Sequence, residues 1–154
     1  TYKEYIFKFI NIHPANDTVN FSFQASTNGG SSFGTTVTTT FFLAYHTEDD
    51  SGTALQYYAN RDLAQSTAAQ QIVTIGNAND DSGSGTLHLF DPSNTTFVKN
   101  FTSRIVAPTG EDTENCKDTY AAGYFNTTSA IDAIQFSMSS GNIDSGVIKM
   151  YGVT

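Results

Sequence analysis

The sequence predicts an all-β protein, an antiparallel jelly-roll-like β-sandwich of about eight strands. Three observations carry that expectation. Several short runs alternate apolar and polar residues with period two, the pattern of a strand with one buried face. Aromatic residues make up 13% and charged residues only 14% of the 154 residues, so polarity comes from Ser, Thr, Asn and Gln, a mixture that suits a pleated surface. No strand–helix–strand rhythm is present, which argues against a parallel sheet.

The elements follow in chain order. Glu4 to Ile12 sets Tyr5, Phe7 and Phe9 against Ile6, Lys8, Ile10 and Ile12, so both faces are largely apolar. Pro14 ends that run, because proline cannot donate to a ladder. Thr18 to Ala25 is the clearest strand, with Val19, Phe21, Phe23 and Ala25 on one face and Thr18, Asn20, Ser22 and Gln24 on the other. The turn Asn28-Gly29-Gly30-Ser31 follows. Val37 to His46 is a long threonine and aromatic strand. Ala54 to Gln71 holds no clean helical period and reads as at most a short helical turn, or as an irregular loop ending in a strand at Gln70 to Ile75. Gly85 to Phe90, Thr96 to Val106 and Thr119 to Phe125 are three further strands. Ala133 to Met138 and Val147 to Tyr151 flank the turn-forming stretch 139–146, so the pair reads as a terminal β-hairpin. The spacing of these runs points to a sandwich, and residues 1–154 are expected to form a single domain.

Composition narrows the partners. The net charge is −8, and the seven basic residues are thinly spread. A phosphate backbone or an anionic membrane needs clustered Lys and Arg, so neither nucleic acid nor membrane is expected as a partner. The lone Cys116 has no partner for an internal disulfide and sits in an acidic stretch, the wrong setting for an activated thiolate. His13, His46 and His88 have no ligand spacing that reads as a zinc comb. The acidic loops at Glu48-Asp49-Asp50, Asp80-Asp81 and Glu111-Asp112 lack the spacing of a calcium loop and read as solvated; no metal and no cofactor is expected. No nucleophile–base arrangement is recognisable, so no catalytic residues are assigned and an enzyme is not expected.

Two sets of aromatic and apolar residues remain as site candidates. Tyr45, Tyr57, Tyr58, Tyr120, Tyr124 and Phe125 lie at strand ends or in loops, where rings stack on sugars or anchor interfaces, and Tyr45, Tyr57, Tyr58 and Tyr124 are the ligand-contact candidates. Tyr5, Phe7, Phe9, Ile10 and Ile12 form a strand apolar on both faces, and a monomer covers only one face with its own sandwich, so the other is a candidate contact.

The strings Phe9-Ile10-Asn11-Ile12-His13-Pro14, Thr86-Leu87-His88-Leu89-Phe90-Asp91-Pro92 running on to Lys99, Ala122-Gly123-Tyr124-Phe125-Asn126-Thr127-Thr128 and Val147-Ile148-Lys149-Met150-Tyr151-Gly152 resemble those of a family of virion proteins of marine tailed bacteriophages. The resemblance runs over nearly the whole chain. It implies a non-enzymatic structural protein on the virion surface: a capsid decoration, a head fibre or a tail-fibre domain. Its implied partners are other virion proteins and copies of itself, with a homotrimer the leading expectation. A host-surface glycan or receptor is the alternative. The start at Thr1 fits a module or a processed product of such a protein.

Overall fold

The structure is a computed structural model, and it describes residues 2–108 and 115–154. Among the described residues there are ten strands: β1 (Glu4–Pro14), β2 (Val19–Ser26), β3 (Val37–Thr47), β4 (Thr53–Tyr57), β5 (Gln70–Ile75), β6 (Gly83–Phe90), β7 (Lys99–Pro108), β8 (Asn115–Phe125), β9 (Ala133–Met138) and β10 (Ile143–Val153). Every pairing is antiparallel. A seven-stranded sheet runs β10-β1-β6-β7-β8-β3-β4, and a three-stranded sheet runs β5-β2-β9. The two pack face to face, which bears out the all-β sandwich.

The core lies between the sheets and is built from inward positions of period-two strands. Val19, Phe21, Phe23 and Ala25 are all buried, as their alternation requires. Phe9 meets Phe21 edge to face at 5.2 Å, and Phe136 meets Phe7 at 5.2 Å and Phe9 at 5.1 Å. Phe23 touches Phe101 at 5.0 Å in the same geometry. The aromatic cluster thus joins four strands of the two sheets, with the offset geometries that ring quadrupoles favour. On β5 a bulge lies opposite Phe21 and Ser22, and both Ile72 and Val73 are buried there. Buried Thr119 of β8 bridges the sheets through Oγ1, 2.8 Å from the Ile72 carbonyl oxygen and 2.9 Å from that of Ile105.

Three expectations are corrected. The terminal runs do not form a hairpin with each other. β9 pairs with β2, placing Phe136 opposite Phe23, while β10 pairs with β1, placing Met150 opposite Phe7. The four-residue link between them crosses from one sheet to the other. It is held there by Ser139 N donating to the Asn20 carbonyl and Ala15 N donating to that of Asn142. Alternation fixes which way side chains point but leaves the partner strand open, and that is where the hairpin reading failed. The second correction is β4, which the sequence leaves as loop: its five residues are half-buried or exposed on a sheet edge, so no apolar face marks it.

The third correction concerns the first strand. β1 is an interior strand, flanked by β10 and β6. Phe7, Phe9 and Ile12 are buried in this chain's own core, and Tyr5 packs half-buried against it. Of the five contact candidates only Ile10 is exposed. Ile12 was expected on the face opposite Phe9. A register shift between Phe9 and Ile12, with Asn11 at φ 51°, turns it inward instead.

Candidate functional site

The three-stranded sheet is too narrow to cover the seven-stranded one, so both flanks of the larger sheet overhang. At one flank β4 is the outermost strand, with Leu55 and Tyr57 exposed, and the chain beyond it returns to β3. The segment after β4 folds back under β3: Asp62 Oδ1 accepts from Phe41 N at 2.7 Å, Leu63 O accepts from Thr39 N at 2.8 Å, and the Arg61 guanidinium lies 5.3 Å from the Phe41 ring centre. The other overhang is β10, and no segment among the described residues crosses its free edge.

β10 is unusual for an edge. Natural edge strands are blunted by proline, charge or shortness. β10 runs for eleven residues, and from Val147 to Val153 it contains no proline and one charged residue, Lys149. Both faces are apolar. Ile148 and Met150 pair with Phe9 and Phe7 and so point inward, yet they are 38% and 63% exposed. Val147, Tyr151 and Val153 point outward and are exposed as well. Under the inward face opens a groove of 440 Å³ lined by Tyr5, Leu89, Ile131, Ile134 and Met150 among others. Gly146, at φ 122°, lets the strand pass β1: a Cβ there would stand 2.7 Å from the Asn11 carbonyl oxygen.

The outer face of the large sheet carries a second feature. A cross-strand row runs Lys149, Lys8, Thr86, Arg104, Tyr120, Phe42, Tyr57. Phe42 and Tyr120 stack at 4.7 Å with planes 6° apart, and Arg104 lies 5.1 Å from the Tyr120 ring centre while its guanidinium grips Asp118. That grip holds the Arg104 pKa above its usual value, through the Asp118 hydrogen bond first and its charge second. Rings stacked on cross-strand neighbours stand on edge. Both faces of Tyr120 are therefore taken by Phe42 and Arg104, and a sugar ring has no free face there. Lys8 and Lys149 are like charges directly opposite, a destabilising pair. Lys8 leans 5.5 Å over Tyr151.

The four candidate tyrosines are not brought together. Tyr45 and Tyr58 pack against the core, Tyr57 is exposed on β4, and Tyr124 lies on β8 beside Thr38 and Asn100. Tyr120, among the aromatics singled out in the sequence, stacks on Phe42, a contact that sequence reasoning missed because partnership across strands is not local. Cys116 faces His46 across the β3–β8 ladder, and His46 Nε2 lies 2.9 Å from Asp50 Oδ1. These residue types suit a thiol nucleophile, but they sit on an exposed face beside a shallow hollow with Leu55 and Ala54. Among the described residues no three His, Cys, Asp or Glu side chains converge on a metal position. Glu111 and Asp112 lie outside the described residues.

No protein family, no curated protein and no solved structure matches this chain.

Proposed function

We propose that this chain is a non-enzymatic structural module that works by self-assembly, displayed on the outside of a tailed-phage particle. The sequence resemblance supports the setting. The observation that carries the mode of action is β10, a long edge with apolar residues on both faces and a groove beneath it. Monomers rarely leave such a surface uncovered. The opposite edge strand, β4, is shorter, at five residues.

The partner that β10 fits is a second copy of itself. A two-fold axis normal to the sheet pairs β10 with its copy antiparallel and keeps inner faces together. Centred on Met150, residues 147–153 pair with themselves throughout: Val147 with Val153, Ile148 with Gly152, Lys149 with Tyr151, and Met150 with Met150 of the copy. This register puts the Lys149 ammonium beside an aromatic ring and away from its own twin. It also sets the two open grooves side by side, where Ile148 and Met150 of both copies fill them. The contact is placed on β10 and no longer on the first strand, most of whose candidate side chains are core, and its self-complementary register favours a two-fold axis over the expected three-fold one.

The glycan-binding alternative has less support, since its tyrosines diverge and the stacked rings spend their faces on each other. The test of the setting is immuno-electron microscopy of virions whose genome encodes the chain. Regular labelling of the particle exterior is expected. Virions that lack the chain by mass spectrometry contradict the proposal.

A further inference from the structure

Two large side chains near the β10 edge are left part-covered. Ile148 points inward from β10 yet is 38% exposed, and Tyr2, just ahead of β1, is 45% exposed. The Tyr2 ring meets Tyr5 edge to face, with ring centres 5.8 Å apart. It also lies on Gly152, where three of its ring atoms stand in the space a Cβ would need. Lys3 N, next in the chain, donates to the Val153 carbonyl oxygen at 3.0 Å and ties the segment to the end of β10.

The phase of β10 gives the side on which that ring lies. Ile148, Met150 and Gly152 alternate along the strand and share one face. Gly152 also pairs with Tyr5, which packs against the core. The ring is therefore on the inner face, and glycine at 152 is what leaves room for it. Within one chain it does not cover Ile148, because the four steps of strand from Gly152 to Ile148 span about 13 Å.

We infer that Tyr2 acts across the seam between two copies, packing on Ile148 of the second copy. This rests on the self-pairing of β10 proposed above and follows from its register. With Met150 opposite its twin, Gly152 of one chain stands opposite Ile148 of the other. Cβ positions directly opposite each other on an antiparallel pair are about 4.5–5.5 Å apart. The Tyr2 ring stands where the Cβ of residue 152 would be, so it lies against the Ile148 side chain of the copy. The two-fold axis repeats the contact at the other end of the seam. Each part-covered side chain supplies the cover the other lacks, and an aromatic ring against a β-branched side chain is a stabilising cross-strand combination. The seam is thus completed by a residue that lies outside β10.

The test is a double-mutant cycle on the dimer dissociation constant, measured by sedimentation of the full chain. Tyr2→Ala removes both copies of the contact and is expected to raise the constant by about tenfold. Ile148→Ala is expected to raise it at least as much. Adding Tyr2→Ala to Ile148→Ala is expected to raise it by less than about twofold more, because the contact is already gone, whereas independent effects would multiply. Tyr2→Phe is expected to keep the wild-type constant. Gly152→Ala, which drives the ring off without altering it, is expected to weaken the dimer as Tyr2→Ala does, and urea unfolding checks that each variant folds. A dimer that traps through residue 150 overturns this inference, and leaves β10 pairing standing, if Tyr2→Ala and Gly152→Ala each change the constant by less than about twofold or if the effects at Tyr2 and Ile148 multiply. A wild-type chain that stays monomeric overturns the pairing and this contact with it.

Discussion

Replacing Phe21 by alanine tests the packing directly. Phe21 is fully buried on β2, with Phe9 edge to face at 5.2 Å and Phe136 stacked at 5.9 Å. Truncating a buried phenylalanine costs about 3–5 kcal/mol in transfer and cavity terms. Phe21 lies between the two sheets, where neighbours cannot collapse without moving a strand, so the loss is expected near the middle, about 4 kcal/mol. For a chain of this length that lowers the melting temperature by roughly 8–16 °C. Phe136→Ala is expected to cost less, about 3 kcal/mol, because β9 is a sheet edge and its ring is only half-buried. Thr40→Ala, exposed on the outer face, should stay within about 0.5 kcal/mol. Urea unfolding at equilibrium, read by midpoint at constant slope, measures all three. A Phe21→Ala midpoint no lower than that of Thr40→Ala would falsify the assignment of the buried face.

Further expectations follow from single contacts. Thr119→Val keeps the shape but removes the hydroxyl between the Ile72 and Ile105 carbonyls, and should cost about 1–3 kcal/mol in the same urea assay. Lys99 is fully buried, with Nζ donating to Phe97 O at 2.9 Å and Thr127 O at 3.2 Å. Burial pushes its pKa below 10.5, partly offset by the charge of Asp91. Between the lowered value and 10.5 the unfolded chain binds more protons than the native one, so this lysine makes stability rise with pH in that window. Subtracting the pH profile of Lys99→Met from that of the wild type should isolate a positive alkaline slope; a flat or negative difference contradicts the burial of the charge. Met150→Lys, at a 63% exposed position, should leave monomer stability within about 0.5 kcal/mol and abolish self-association in sedimentation.

Much of the fold was legible because side-chain direction is a local property. The alternation of Val19, Phe21, Phe23 and Ala25 marked a buried face, and the structure buries all four. Strand partnership is not local. The same turn-rich stretch that reads as a hairpin loop serves as a crossing between sheets, and the difference lies in bonds to Ala15 and Asn20, more than a hundred residues away in sequence. β1 looked two-faced because Ile6 and Ile10 alternate with Phe7 and Phe9. β10, which the hairpin reading had assigned elsewhere, pairs along the edge of β1 and leaves its second face open at Lys8 and Ile10, so the edge that needs a partner moved by one strand.

Self-pairing of β10 is tested most directly by disulfide trapping. In a Cys116→Ser background, Met150→Cys places its thiol opposite that of the copy, where paired Cα atoms stand about 4.5–5.5 Å apart, within the span a disulfide bridges. Val147→Cys alone faces Val153 of the copy and should not trap, whereas Val147→Cys with Val153→Cys should. The account predicts a wild-type species of twice the 16.6 kDa chain mass in native mass measurement, and quantitative trapping of the Met150→Cys variant under mild oxidation. A wild-type chain that stays monomeric at high micromolar concentration contradicts it. So does a dimer or trimer that traps no better through residue 150 than through Leu55→Cys on the opposite edge, although that result leaves assembly through another surface standing.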